Sequence, residues 1–305
     1  MLLHTKVHTD NSPSHAIPDD VLNNAKKHFE SIYSGVLPNN SDTIKLTRDS
    51  LSPERAREQL EAFFNATRRP DPGDWFLEIG SGYGNLVLAA HKYYSLDAHG
   101  LEPEGHQFDG TLAISRRLLE ANQIEPTFVA PGQGERIPFP DASFDFVYSS
   151  NVLEHVEDPC RVMSEAVRIT RPGGFIQIVF PNFGSFWEGH YGILWPPRLP
   201  KSLGKIYVRS LGRDPAMLES LQLLDYRHVR RMLDQVADQV EVLDIGQELW
   251  AKRMREVDVP PWAHLPILKT WVGLAKRLGV TELLVRFGKR LHWETPFVLT
   301  LRRRT

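Results

Sequence analysis

A glycine cluster between a short apolar run and an amphipathic helix constrains the fold of this chain most. Residues 75–79 read Trp-Phe-Leu-Glu-Ile, and Gly80-Ser-Gly-Tyr-Gly84 follows at once. Glycines at such a junction let the backbone turn tightly and let a ligand approach the amides that begin the next helix. The next short strand ends at Glu102, where a carboxylate can bind two ribose hydroxyls. This combination predicts a nucleoside-type ligand.

The glycine spacing separates two classes of nucleotide-binding protein. A dinucleotide fingerprint needs a glycine three positions after Gly82, and Asn85 stands there. The pattern is therefore G-x-G-x-G, which argues against a nicotinamide-dependent dehydrogenase. The dehydrogenase stays an alternative that a nicotinamide fluorescence titration tests.

Short apolar strands and helices alternate through the middle of the chain. Such alternation is typical of βαβ units, whose parallel sheet is covered by helices on both faces. It is interrupted after Pro181 and again over 250–292, so we predict one doubly wound α/β domain with two insertions. The predicted strands are 75–79, 98–101, 127–130, 144–149, 175–180, 240–245 and 296–301, and the predicted helices are 19–34, one starting at Pro53 with Ser52 as N-cap, 86–94, 111–122, 159–169 and 226–236.

Composition narrows the class of protein. A hydrophobic content of 41% and a charged content of 24% in 305 residues are ordinary for a globular chain. One cysteine, Cys160, excludes a disulfide framework and fits a reducing compartment, so we expect a cytoplasmic location. The longest uncharged run, 172–187, is too short and polar for a membrane span, and residues 1–15 hold no apolar run of secretory-signal length.

Ordered motifs over residues 54–182 resemble those of the class I S-adenosylmethionine-dependent methyltransferases. Leu77–Gly84 resembles the first motif, Gly132–Phe139 the stretch that borders adenine, Phe144–Val156 the fourth strand with its turn, and Arg171–Gly174 the turn before the fifth strand. Residues 220–245 and 296–302 resemble the family more loosely. The resemblance implies a seven-stranded Rossmann-like sheet whose last strand, 296–301, is antiparallel.

The resemblance also implies the domain organisation. Residues 1–52 form an N-terminal arm and helical cover, and the methyltransferase domain fills residues 53–305. Helical and aromatic insertions follow the fifth and sixth strands, at 183–222 and 250–292.

The cofactor implied by the resemblance is S-adenosylmethionine. The glycine loop would hold its methionine part, and Glu102 its ribose. Gln133 stands where the family usually has aspartate beside adenine; its carbonyl can accept from the adenine amino group without adding charge, and backbone groups nearby can serve as well. The implied cofactor-binding residues are Glu78, Gly80, Ser81, Gly82, Gly84, Glu102, Pro103, Gln133, Gly134, Glu135, Ser150 and Asn151.

Two histidines are the candidates for catalysis. The sulfonium methyl is a strong electrophile, so the protein mainly positions the acceptor, but a hydroxyl acceptor also needs a general base. His155 follows the fourth strand at the carboxyl edge of the sheet, and His190 lies in the first insertion, which overhangs the acceptor pocket in such folds. The alternative roles are structural packing for His155 and a solvated loop position for His190. Tyr191 is a weaker candidate.

The same segment carries a partial metal motif. Asn151-x-x-Glu154-His155 resembles the Glu-x-x-Glu-His with which some related methyltransferases hold a divalent ion. Because Asn151 replaces the first acidic ligand, we expect no metal.

The first insertion is rich in aromatic residues. These side chains can form a stacking pocket for a sugar or flat ring, or a secondary core under a lid. They are Phe183, Phe186, Trp187, Tyr191 and Trp195.

Charge is distributed unevenly along the chain. Residues 1–198 hold 17 basic and 26 acidic residues, whereas residues 199–305 hold 19 and 12. Basic and apolar residues interleave in 266–278 and 281–291, a pattern that suits helices packed on the sheet or lying on an anionic membrane surface. The acidic body argues against nucleic acid as a partner.

The expected function is methyl transfer from S-adenosylmethionine to a small or lipid-linked acceptor, at an oxygen of a glycan or related metabolite. The segment Glu188–Gly192 with Trp195-Pro-Pro resembles methyltransferases that accompany bacterial surface-polysaccharide synthesis. The alternatives are C- or N-methyl transfer to a quinone- or polyketide-type molecule, and a non-catalytic partner subunit with the cofactor fold. The sequence identifies neither the acceptor nor the oligomeric state.

Overall fold

A mixed seven-stranded sheet forms the centre of the computed structural model, which describes residues 17–37, 41–105, 109–257 and 266–305. Its order is β3-β2-β1-β4-β5-β9-β8; β1 to β5 pair in parallel, and β9 is antiparallel to both neighbours. The predicted sheet and its antiparallel last strand are confirmed. The strands are β1 (Trp75–Ile79), β2 (Asp97–Glu102), β3 (Val129–Pro131), β4 (Phe144–Ser150), β5 (Thr170–Phe180), β8 (Val240–Asp244) and β9 (Phe297–Arg303), and a separate hairpin holds β6 (Trp187–Glu188) and β7 (Ile193–Leu194).

Helices cover both faces of the sheet. Ser52 caps the helix that begins at Pro53, as the sequence predicts, and Asp158 caps a second helix that begins with proline. The helices are α1 (Asp19–Tyr33), α2 (Thr43–Leu51), α3 (Pro53–Ala66), α4 (Asn85–Tyr94), α5 (Thr111–Ala121), α6 (Pro159–Ile169), α7 (Lys201–Ser210), α8 (Ala216–Ser220), α9 (Tyr226–Gln235), α10 (Gln247–Glu256), α11 (Pro266–Arg277) and α12 (Thr281–Leu291). None of the helices described is long and apolar enough to cross a bilayer.

The core consists of two apolar clusters, one on each face of the sheet. Phe76 points to the face covered by α1, α3, α4 and α5, while its neighbour Leu77 points to the face covered by α6 and α9. This alternation follows from the two-residue period of a strand. Val21 and Leu51 of the N-terminal helices belong to the first cluster, so these helices pack on the sheet domain. The boundary at residue 52 stays a prediction, and residues 1–16 lie outside the described part.

Two predicted elements were wrong in detail. Residues 126–128 form a 3-10 turn, so β3 is limited to 129–131 instead of 127–130. Residues 171–174, predicted as a turn, lie inside β5. Thr170 pairs with Phe144 of β4 and Phe175 pairs with Phe146, so the four residues between them form an irregularity within the strand. The helices α2, α7, α8 and α10 were not predicted, since their short amphipathic patterns lie in segments interpreted as irregular.

The first insertion forms a small core of its own. Phe183, Tyr191 and Trp195 are buried against Val36, α7 and α8. For these three aromatics the structure matches the alternative of a secondary core, because each is almost fully buried. Of the predicted aromatic set, Phe186 is exposed and Trp187 is half-buried.

Candidate functional site

The glycine loop joins β1 to α4 in left-handed backbone conformations. Gly80, Gly82 and Gly84 have φ values of +72°, +51° and +78°. A Cβ on Gly80 would lie 2.2 Å from Cγ2 of Val152, whereas nothing lies within 4 Å of a Cβ on Gly82. The loop therefore packs tightly against the segment after β4 and leaves space over Gly82, where a ligand can approach the backbone.

Glu102 is held against this loop at the end of β2. The Gly82 amide donates to its Oε2 at 2.7 Å, and the Thr111 hydroxyl donates to its Oε1 at 2.8 Å. Burial raises the pKa of Glu102, and these two hydrogen bonds oppose the shift. Each carboxylate oxygen keeps a second lone pair for a ribose hydroxyl.

Glu78 and Ser81 offer buried polar atoms that nothing in the described chain satisfies. Glu78 Oε2 and Ser81 Oγ have no hydrogen-bond partner among the described residues. Burial and the charge of Glu102 raise the pKa of Glu78 well above its ordinary value, while a backbone hydrogen bond from Val87 lowers it. Buried polar atoms without partners are unfavourable, so these groups fit a ligand that supplies the missing bonds. The residues present thus fit S-adenosylmethionine.

The predicted adenine-side residues form a turn after β3. Gln133 is exposed, and its carbonyl accepts from the Arg136 amide at 3.1 Å. The Glu135 carboxylate accepts from the Glu157 amide at 3.0 Å, so its side chain already has a partner. Gly134 leaves little room for a Cβ, which would meet the side chains beneath it at 3.2 Å. The adenine contact of this turn stays a prediction.

The remaining predicted cofactor residues lie at the ends of β2 and β4. Pro103 is half-buried directly after Glu102. Asn151 has a φ of +55°, and its side-chain amide donates to Ser150 Oγ at 3.3 Å. Its backbone amide donates to the Val179 carbonyl at 2.8 Å. The chain therefore turns sharply away from the sheet at the carboxyl edge, toward Glu154 and His155.

A buried cluster of two carboxylates and two histidines lies after this turn. His190 Nδ1 is 2.7 Å from Glu188 Oε1, and His190 Nε2 is 3.6 Å from Glu154 Oε1. The rings of His155 and His190 meet edge to face, with centroids 5.8 Å apart. Glu188 is fixed by the hairpin β6–β7, since its other oxygen accepts from the Tyr191 amide at 2.7 Å. The structure thus brings together both predicted catalytic histidines, which are 35 residues apart in the chain.

The protonation of the cluster follows from its burial. Burial alone would lower the pKa of His190, but the hydrogen bond and charge of Glu188, with the charge of Glu154, outweigh it and raise the pKa. Burial raises the pKa of Glu154 to about 7, and His190 partly offsets this. Burial and the charge of His190 lower the pKa of His155 to about 4, so His155 is neutral at pH 7. The two histidines therefore differ, since the carboxylates favour the charged form of His190 while burial favours the neutral form of His155.

Helix α1 packs against the glycine loop. The Tyr83 hydroxyl lies 3.0 Å from His28 Nδ1 and donates to the Ala25 carbonyl at 3.3 Å. Burial, then the charges of Glu154 and Glu188, raise the pKa of Tyr33 to about 12. Tyr33 thus lies near the cluster, while Tyr83 belongs to the loop.

Two residues of the site were missed by sequence reasoning. Glu188 was read only as part of a motif, and its place two residues before His190 was the available signal. Tyr33 gave no signal beyond its helix. The hydroxyl of the weaker candidate Tyr191 donates to the Asp214 carbonyl at 2.7 Å, which ties it to the insertion core.

The cluster also has donors of the kind that bind metal ions. One ligand atom from each of Glu154, His155 and His190 lies within 4.8 Å of the others. Asn151, which was expected to weaken such a site, turns its side chain toward Ser150.

A surface pocket of about 360 Å³ adjoins the cluster through Gln222. The backbone N–H of Gln222 donates to the Glu154 carbonyl at 2.7 Å. The pocket is lined by Arg198, Lys201 and Arg227, while Asp225 beneath them balances part of their charge. Its basic side chains can therefore bind an anionic group.

Comparison with known proteins agrees with this geometry. Residues 77–178 match the family described as methyltransferase domain. An uncharacterized methyltransferase of Mycobacterium sp. strain JLS is 31% identical over 145 residues, which are 47% of this chain and 51% of that protein. The demethylmenaquinone methyltransferase of Symbiobacterium thermophilum is 29% identical over 215 residues, 66% of this chain and 80% of that protein. The chain spans about half the length of the first curated relatives it matches.

A solved structure shows the same fold. The geranyl diphosphate C-methyltransferase of Streptomyces coelicolor A3(2) superposes with a TM-score of 0.50 at 14% identity, over 96% of this chain and 100% of that one.

Proposed function

Because the chain contains a class I S-adenosylmethionine-dependent methyltransferase domain, we propose that it transfers a methyl group to an oxygen of a small or lipid-linked acceptor, such as a glycan. One observation supports the proposal most: His190 Nδ1 lies 2.7 Å from Glu188 Oε1 in a buried site at the carboxyl edge of the sheet. A hydroxyl acceptor requires such a base, whereas an amine or carboxylate acceptor does not.

The cofactor would lie over the glycine loop. Glu102 would bind its ribose hydroxyls, and Glu78 and Ser81 would bind polar groups with atoms that are otherwise unpartnered. When bound, the cofactor supplies an electrophilic methyl group whose transfer to oxygen leaves a neutral thioether. Methyl transfer of this kind needs a site from which water is excluded.

His190 is the proposed base for the acceptor hydroxyl. Its Nδ1 is held by Glu188, and its Nε2, which lies 3.6 Å from Glu154 Oε1, is the atom that would take the hydroxyl proton while the oxygen forms its new bond to carbon. His155, neutral at pH 7, is the second candidate and lies edge-on to His190. The basic pocket next to Gln222 would bind an anionic part of the acceptor.

Titration calorimetry with S-adenosylmethionine tests the cofactor part. We expect wild-type protein to bind, and Gly82→Arg and Glu102→Ala to bind at least about tenfold more weakly, since an arginine fills the space over the loop and an alanine removes the ribose acceptor. Gly212→Arg is the matched control, because Gly212 also has positive φ with nothing within 4 Å of a Cβ. Absence of binding by the wild type, or equal binding by both site variants, contradicts the proposal.

Methyl-labelled cofactor incubated with metabolite, glycan and lipid extracts tests the acceptor part. Mass spectrometry should show a labelled O-methyl product, and His190→Ala should lower its formation by about 10²-fold or more. A labelled quinone-type product with little effect of His190→Ala supports the alternative, which the similarity to a demethylmenaquinone methyltransferase favours. Cofactor binding without any product supports a partner subunit, and loss of activity on chelation indicates a metal-dependent site.

A further inference from the structure

Helices α11 and α12 expose an apolar face that the fold does not use. The C-terminal patch, as we call it, includes Trp271 and Leu283, which are 66% and 67% exposed. Within each helix the patch residues are three or four positions apart, so their side chains lie along one side of that helix. Val272 and Val285 on the other sides are buried against α10, so the helices already have their packing contacts. The patch residues are Trp271, Leu274, Leu278, Leu283, Phe287 and Leu291.

Basic side chains border this face. Residues 266–291 contain six lysines and arginines and one acidic residue, Glu282, which pairs with Arg255 at 2.7 Å. Arg277, Arg286 and Arg290 are exposed, and at about 100° per residue each lies within about 60° of a patch side chain on its helix. An apolar strip bordered by arginines is complementary to a surface with anionic groups above an apolar layer.

The patch continues toward the candidate active site. The Phe287 ring lies 5.4 Å from Trp293, and Trp293 lies 4.8 Å from Phe186. The Ser185 hydroxyl donates to the Trp293 carbonyl at 2.7 Å, which fixes this contact. Phe186 is two residues before Glu188, so the apolar surface ends beside the hairpin that holds the proposed base.

We propose that the C-terminal patch binds the surface of an anionic lipid bilayer, with its aromatic and leucine side chains at the headgroup boundary and its arginines on lipid phosphates. In this position the enzyme would receive a lipid-linked acceptor directly from the membrane, a consequence that rests on the proposed function. A symmetric dimer through the patch is disfavoured, because it would bring the same arginine rows together.

Sedimentation with vesicles tests the binding. We expect the wild type to bind vesicles of phosphatidylcholine with 30–40% phosphatidylglycerol at about tenfold or greater affinity than pure phosphatidylcholine, and high salt to weaken it. Trp271→Ser/Leu283→Ser/Phe287→Ser and Arg277→Glu/Arg286→Glu/Arg290→Glu should each reduce binding at least about tenfold. All six side chains are exposed, so the variants should keep their folding.

A matched apolar control is available on α2. Ile44→Ser/Leu46→Ser changes exposed apolar residues on α2, which packs with α1 beside α5, and it should bind vesicles like the wild type. Equal binding by wild type and both patch variants overturns the proposal, as does light scattering that shows a patch-dependent dimer without vesicle binding. Calorimetry with S-adenosylmethionine separates the two proposals. Patch variants that still bind the cofactor but no longer bind vesicles show that the patch acts in membrane binding alone. A wild type that binds vesicles but not the cofactor refutes only the proposed enzyme function.

Discussion

At the scale of single residues, the candidate site depends on pairs that are distant in the chain or hidden in a tight turn. The sequence predicted His155 and His190 separately, each from its position relative to a strand. It did not predict that they meet, because the path of an insertion depends on tertiary packing. The role of Glu188 was missed because a carboxylate two residues before a histidine reaches it only when the hairpin turns between them, as β6–β7 does here.

Glu188→Gln tests whether Glu188 positions the base. We expect kcat to fall about 10²-fold with little change in cofactor affinity, since the neutral amide no longer stabilises the charged imidazole. Loss of the carboxylate also lowers the pKa of His190, which Glu188 raises, so the acid limb of the kcat profile should move to lower pH. A pH–rate profile measures both effects.

Glu294→Gln is the control for this variant. Glu294 is equally buried, and its Oε1 lies 3.2 Å from Nδ1 of His292, so this pair joins the same two residue types at another place in the fold. It should keep the wild-type profile. An unshifted acid limb in Glu188→Gln, or the same loss in Glu294→Gln, contradicts the positioning role.

At the scale of elements, the glycine loop and the segment after β4 form one packed unit. Gly80 of the cofactor loop packs tightly against Val152, which is two positions before Glu154 in the chain. The β–loop–helix order around this unit was predictable, because strand and helix periodicity and glycine chemistry are local properties. The helical cover over residues 1–52 was also expected, but the contacts of His28 and Ala25 with Tyr83 were not, since they join residues more than 50 positions apart.

Gly80→Ala should weaken cofactor binding by about tenfold or more. The new methyl group would lie 2.2 Å from Val152, so the loop or the β4 segment must move, in addition to about 1–2 kcal/mol for a left-handed alanine. Gly73→Ala has the same backbone cost at φ +85° but meets nothing within 4 Å, so it isolates the contact. Calorimetry and thermal unfolding of both variants measure the difference, and equal cofactor affinities would show that the contact does not shape the loop.

At the scale of the whole molecule, the parts that decide specificity surround a predictable sheet. The sheet order follows from periodicity and from the ordered motifs. Contacts between segments distant in the chain do not follow from local patterns, and one of them is the hydrogen bond from the Asn182 side chain to the His292 carbonyl at 2.9 Å. Several carboxyl groups become buried in this assembly, among them Glu154 and Glu294, whose pKa values burial raises to about 7. Their desolvation links the stability of the fold to pH.

The free energy of unfolding should therefore respond in opposite ways to two glutamate substitutions. Glu154 has a folded-state pKa of about 7 against an ordinary 4.5, so its contribution is present below pH 4.5 and is lost as pH rises through 7. As pH rises from 4.5 to 7, the free energy of unfolding of Glu154→Gln should therefore increase by roughly 1 to 3 kcal/mol relative to that of the wild type. Glu165 has a lowered pKa, because Arg168 bonds to it, so Glu165→Gln should be less stable at pH 7 and approach the wild type as pH falls below 4.5. Urea unfolding of the three proteins across this range measures both slopes, and parallel curves would show that neither burial nor pairing controls these carboxyls.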